Sequence, residues 1–203
     1  MQVIDIFRPL QLAIMLGFAV LISDFRRRDG AAPLLSPAAV VVLKLLYPIP
    51  FVAYLLVLLQ LRAVAGRDLL ALALTTGATM LVARARRDIG QSYTWTGYRQ
   101  VQPLLVNRGV YARVRHPIYL GLWLFMAGGV VTVFARVSLA AHVVIALSLA
   151  YIGTFIIIAA ARETRHLSVS LGEDFDRYRR SVGAFWPFHR RRASVLDPHR
   201  PSR

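Results

Sequence analysis

IYLGLWLFMAGGVVTVFARVSLAAHVVIALSLAYIGTFIIIAAA, residues 118–161, carries Arg136 as its only formally charged side chain. A helix needs roughly 20 mostly apolar residues to cross the hydrocarbon of a bilayer. Residues 118–134 and 138–161 each offer about that length, with only Ala135, Arg136 and Val137 between them. The chain must therefore turn back at once, which predicts two antiparallel membrane helices in a tight hairpin. Gly128 and Gly129 lie on this hairpin, where small residues would allow close helix contact.

Three further apolar runs lie upstream, at 6–23, 40–61 and 69–83. The third is short by itself, but Arg84 and Arg86 can snorkel from its end to the interface, as Arg8 can for the first. The expected fold class is all-α: a polytopic membrane helix bundle of about five transmembrane helices. Composition agrees, since 57% of the 203 residues are hydrophobic and the mean hydropathy is +0.53, where soluble domains sit nearer half. Residues 1–187 read as a single membrane domain and 188–203 as a basic, mobile tail attracted to anionic lipid headgroups.

Five spans put the termini on opposite sides, and arginine chooses which. With the N-terminus outside, the inner segments 24–39, 84–117 and 162–203 hold 20 of the 24 arginines, leaving Arg8, Arg62, Arg67 and Arg136 outside. The expectation is an integral, multi-pass protein with its N-terminus outside and its C-terminus cytoplasmic. The formal charge of +15 is thus a topology signal: the arginines lie between apolar runs rather than along one soluble face, which argues against nucleic acid as a partner. The absence of cysteine excludes disulfides, thiolate metal sites and a cysteine nucleophile. No basic n-region, short apolar core and cleavage site open the chain, so the first span is expected to be retained.

After residue 161, Leu167, Leu171, Phe175, Tyr178 and Val182 recur at helical spacing among charges. This predicts a C-terminal amphipathic helix on the membrane face.

The stretch richest in chemistry is GVYARVRHPIYLG, residues 109–121, at the start of the fourth span. Pro117 fits the first turn of a helix, where its missing N–H costs nothing, so His116 is the expected cap. Free amides and the positive dipole end there suit a ligand carboxylate. The same Arg, His and Tyr residues would equally serve as an interfacial anchor. A second feature is Arg162-Glu163, directly after the longest apolar run. A carboxylate at that depth is a functional candidate, although Arg162 or Arg165 would neutralise it in a structural role. His142, His166, His189 and His199 show no ligand spacing, so no metal site is expected. No convincing strand precedes a Gly-rich phosphate loop, which excludes a soluble Rossmann domain.

At these residues the chain resembles the isoprenylcysteine carboxyl methyltransferase family of integral membrane methyltransferases, which also includes phospholipid N-methyltransferase relatives. The likeness covers residues 104–187: Leu-Val before Gly-x-Tyr, Arg-His-Pro-x-Tyr-x-Gly, a helical hairpin, then Glu163, Leu167, Gly172, Phe175, Tyr178, Val182 and Pro187 at the family's intervals. The resemblance implies S-adenosyl-L-methionine in a cytosolic pocket, contacted by Leu104, Leu105, Val106, Tyr111, His116, Pro117, Ile118, Tyr119 and Glu163. It implies methyl transfer to a lipophilic small molecule or lipid that arrives from the bilayer. Such a displacement needs alignment and exclusion of water rather than a protein nucleophile, so no catalytic residue is assigned and Arg162 is only a candidate substrate contact. Thr164 stands where the family often has a second Glu, and Phe175 where it has Tyr. Ala159 occupies the position of the prenylcysteine enzymes' substrate-binding Arg, which argues against a prenylcysteine carboxylate. Two alternatives remain: an NADPH-dependent membrane reductase of the sterol reductase type, with a similar Arg-His-x-x-Tyr pattern, and a non-enzymatic membrane scaffold.

Overall fold

A computed structural model describes residues 2–23, 31–94, 96, 98–100 and 103–187; the expected tail, 188–203, lies outside them. The described chain is almost entirely helical: α1 (Val3–Ile22), α2 (Pro37–Leu46), α3 (Pro48–Gln60), α4 (Gly66–Ile89), α5 (Pro117–Val133), α6 (Leu139–Leu171) and α7 (Glu173–Ser181). Among the described residues four segments are long and apolar enough to cross a membrane: Val3–Ile22, Pro37–Gln60, Gly66–Ile89 and Leu139–Leu171. Pro117–Val133 is a shorter, 17-residue apolar helix, roughly 25 Å long at 1.5 Å per residue. All five expected spans are therefore helices, and the all-α membrane bundle stands.

Local chemistry sets the boundaries. Ser36 caps α2 by accepting the Ala39 N–H at 3.3 Å, with Pro37 in the first turn. The second span is divided at Tyr47, where Pro48 and Pro50 lack the N–H groups that would continue the ladder. The third span extends well past 69–83 because Arg84, Arg86 and Arg87 are good helix formers; it ends at Gly90, in the left-handed region at φ 58°. Arg8 and Arg86, expected at the headgroups, are used inside the protein. Arg8 donates to the Leu61 carbonyl. Arg86 caps the end of α1 through the carbonyls of Leu21 (2.7 Å) and Ser23 (3.2 Å), and it lies 3.7 Å from the centre of the Tyr93 ring.

The glycines of the fourth span make close helix contacts, chiefly with α4. A Cβ on Gly128 would stand 2.7 Å from Thr75 Cγ2 and 3.1 Å from the Ala71 carbonyl; one on Gly121 would stand 2.4 Å from Val82 Cγ2. Both reach α4, the helix that α5 packs against most extensively. Residues seven apart share a helix face, and α4 answers with the buried small stripe of Ala71, Thr75 and Ala78. Gly129 instead faces Tyr54 of α3. The turn between α5 and α6 is tight, and between these two helices Gly153 faces the Trp123 ring.

Two further features depart from expectation. Residues Ala31–Pro33 (β1) and Tyr98–Gln100 (β2) form a three-residue antiparallel ladder pairing Ala32 with Arg99. The apolar row 167–182 is not one helix lying on the membrane. The last span runs on without a break to Leu171, Gly172 at φ 58° turns the chain, and α7 follows. α7 is the amphipathic helix, but Phe175 and, just beyond its end, Val182 are buried within the protein. At 33 residues, α6 is roughly 50 Å long, which exceeds the roughly 30 Å hydrocarbon core and carries Glu163 to the end where β2 and residues 103–116 gather.

Candidate active site

The segment before α5 is docked on the end of α4. Asp88 accepts the Val110 N–H at 2.8 Å, and Gly109, at φ +59°, lies so close that an added Cβ would stand 2.0 Å from the Asp88 carboxylate. Only glycine suits that place on both counts. A 3-10 turn over Gly109–Ala112 then buries Tyr111. The chain after α7 braces the entry to α5: the Arg115 and His116 N–H groups donate to the carbonyls of Gly183 (2.9 Å) and Ala184 (3.0 Å), and Tyr178 donates to the Tyr111 carbonyl at 2.6 Å. These bonds account physically for two sequence blocks that keep register across a hairpin.

His116 occupies the cap position of α5 with Pro117 in the first turn, as the sequence predicts. Its ring is 6% exposed, and Nδ1 lies 3.6 Å from Glu163 Oε2. Nε2 is 3.2 Å from Thr164 Oγ1. Tyr119 stacks on the imidazole with ring centres 5.5 Å apart, and Phe185 packs at 5.7 Å. Glu163 is half-buried and is joined to no described arginine by an ion pair. Arg162 points along another face of α6 and donates to the Leu34 carbonyl at 2.8 Å.

Two clefts meet around this group. The larger, about 690 Å³ and partly open to solvent, is lined by Leu104, Leu105, Val106, Tyr111, Arg115, His116 and Glu163, with Arg99, His166, Phe175 and Tyr178. The smaller, about 440 Å³, shares Tyr111, Arg115, His116 and Glu163 and adds Thr96, Pro117, Ile118 and Tyr119. All nine sequence-predicted contacts thus border one or both clefts, while Arg162 borders neither. A third cavity, about 570 Å³ between Phe18, Tyr54, Phe125 and Ile152, is apolar and holds none of the nine. Among the described residues no cluster of His, Cys, Asp and Glu is suited to a metal ion.

Electrostatics keep the phenols of the site neutral. Burial, and then the Glu163 charge, push the Tyr111 hydroxyl well above its usual range; burial does the same to Tyr178. Burial also lowers the Arg115 guanidinium, which donates to the Val182 carbonyl at 3.0 Å.

Sequence reasoning missed Arg99 and His166. Arg99 entered only as topology charge, and His166 was set aside for lack of ligand spacing. The available signal was helical: His166 lies three residues after Glu163, so the two share a face of α6.

None of the curated proteins compared with the chain matches it. A family model described as phospholipid methyltransferase does match, over residues 67–174. That is more than half of the 203 residues, and it takes in α4 from its second residue, α5, all of α6 and all nine site residues. This fits the resemblance drawn from the Arg-His-Pro-x-Tyr and Glu163 blocks. The chain belongs to the phospholipid methyltransferase family and is an integral membrane methyltransferase.

Proposed function

We propose that the protein transfers the methyl group of S-adenosyl-L-methionine to a lipophilic small molecule or lipid at the membrane face. The supporting observation is the convergence of nine residues, from segments as distant as Leu104 and Glu163, on two clefts with a common wall. The larger cleft is partly open to solvent, and its side chains suit the cofactor. Leu104, Leu105 and Val106 offer apolar surface to an adenine ring. Glu163 accepts hydrogen bonds from an ammonium or ribose hydroxyls. Tyr111, held neutral by burial, offers an aromatic face to a sulfonium. Pro117, Ile118 and Tyr119 border the cofactor from the smaller cleft, which is our candidate for the acceptor's reacting group. When bound, the cofactor supplies an electrophilic methyl; the protein's part is to align, desolvate and hold.

We further propose that the end carrying the clefts faces the cytoplasm. The exposed Arg84, Arg87 and Arg113 belong to that end, and there they would meet anionic lipid headgroups. Residues 1–187 would act as one domain.

The test is calorimetric titration of the detergent-purified protein with S-adenosylhomocysteine and, separately, with NADPH. Micromolar binding of the first, lost in His116→Ala and Glu163→Ala, supports the proposal. Binding of NADPH alone, or of neither ligand by a well-folded sample, would overturn it.

A further inference from the structure

The larger cleft contains a cation to which none of these roles falls. Arg99, half-buried on β2, lines this cleft and not the smaller one. Among the described residues no carboxylate pairs with it; its contacts are with His166, where Nη1 lies 2.9 Å from Nδ1 and 3.2 Å from Nε2. His166 Nε2 is in turn 2.9 Å from the Gln100 carbonyl. Nε2–H donates to that carbonyl, and the nearly equal distances to the two ring nitrogens place Nη1 over the face of the imidazole rather than in line with a ring lone pair. The ring thereby steadies the guanidinium by stacking against it and leaves its in-plane N–H donors for a ligand. The ladder with Ala32 fixes the backbone of Arg99. His166 shares the helix face of Glu163, so one face of α6 presents an acceptor and, one turn further on, a steadied donor.

A half-buried guanidinium in a ligand cleft, with no acidic partner among the described residues, is matched to an oxyanion, and its planar fork suits a carboxylate. The amides of the α5 N-terminus are the competing carboxylate site, but Pro117, Ile118 and Tyr119 border only the smaller cleft. We propose that Arg99, positioned by His166, is the anchor for the carboxylate at the amino-acid end of the cofactor, a proposal that rests on the cofactor reading above. Glu163 then meets the opposite charge of the same zwitterion or the ribose. The helix N-terminus is left free for the acceptor.

The experiment titrates the full-length detergent-purified protein with S-adenosylhomocysteine and with its decarboxylated form, S-adenosyl-3-thiopropylamine, which keeps the nucleoside and the ammonium. The wild-type protein should prefer the carboxylate-bearing ligand about 10- to 100-fold, as expected of a hydrogen bond to a charged group. Arg99→Ala should abolish that preference while leaving affinity for the decarboxylated ligand unchanged, which also shows that the variant is folded. Arg99→Lys should restore part of the preference, and His166→Ala should reduce it without touching the second ligand. Retention of the wild-type preference in Arg99→Ala would overturn the proposal and leave the guanidinium to another oxyanion, such as an acceptor phosphate. Equal weakening of both ligands would overturn it too. A wild-type protein that binds neither nucleoside fails at the cofactor reading itself, a result distinct from a normal wild type with an unaffected Arg99→Ala.

Discussion

Replacing Arg136 with leucine removes the partner of the most deeply buried carboxylate among the described residues. Asp68 is fully buried, near the start of α4, and receives Arg136 Nη1 on Oδ1 at 2.7 Å and Nη2 on Oδ2 at 2.8 Å. Nη1 also donates to the Thr132 carbonyl at 2.7 Å. In Arg136→Leu the carboxylate keeps only the Ala65 N–H, at 2.8 Å. Breaking a buried pair from one side costs about 3–5 kcal/mol, which in a chain of this size lowers the midpoint of thermal unfolding by roughly 6–20 °C. Asp68→Ala should cost less, because Arg136 retains 17% side-chain exposure and its head can swing to water. The double variant Asp68→Ala/Arg136→Leu should be more stable than Arg136→Leu alone, since no unpaired charge remains. Thermal unfolding in detergent, followed by circular dichroism, measures the whole cycle. A loss below about 1 kcal/mol for Arg136→Leu, or a double variant equal to the sum of the singles, would show that the two side chains are not coupled in this way.

Three other outcomes rest on neighbouring contacts. Gly128→Val forces side-chain atoms into Thr75 and the Ala71 carbonyl, so α4 and α5 should separate; the loss, about 1–3 kcal/mol or more for overpacking, is read as a lower unfolding midpoint. Gly109→Ala places a Cβ at a positive φ and against Asp88, and should weaken S-adenosylhomocysteine binding in titration although residue 109 lines neither cleft. Tyr111 and Tyr178 have hydroxyls raised above the usual 10.0 by burial. A raised folded value means that stability is fully present below pH 10 and is lost as pH climbs towards the folded values. Tyr178→Phe should cost about 1 kcal/mol at neutral pH and flatten the alkaline fall, as seen in unfolding midpoints between pH 9 and 11.

The spans were legible because a bilayer imposes a length and composition that few other environments require, and 118–161 meets that requirement twice within one short stretch. His116 was legible for a local reason: Pro117 fixes a helix start, so the cap residue and its exposed amides follow. Glu163 was legible as a carboxylate at the end of an apolar run. What was not legible depends on which helices become neighbours. Gly128 reads as a close-contact residue, but nothing near it in sequence says that its neighbour is Thr75 rather than α6. The β1–β2 ladder is three residues long and joins segments 67 positions apart, too short for an alternating pattern to show. Arg99 gains its meaning only when that ladder carries it to His166, and Asp68 only when two turns meet at the far end of the bundle.

Methyl transfer to a bilayer-dissolved acceptor, carried out in the clefts around His116 and Glu163, leaves a product that partitions with lipid. Incubating the purified protein with methyl-labelled S-adenosyl-L-methionine and membrane lipid extract, then separating organic and aqueous phases, detects that product. The expected result is label in the organic phase, reduced at least about tenfold by Glu163→Gln. Label confined to the aqueous phase, or equal organic-phase labelling by the variant, would contradict this assignment of the clefts.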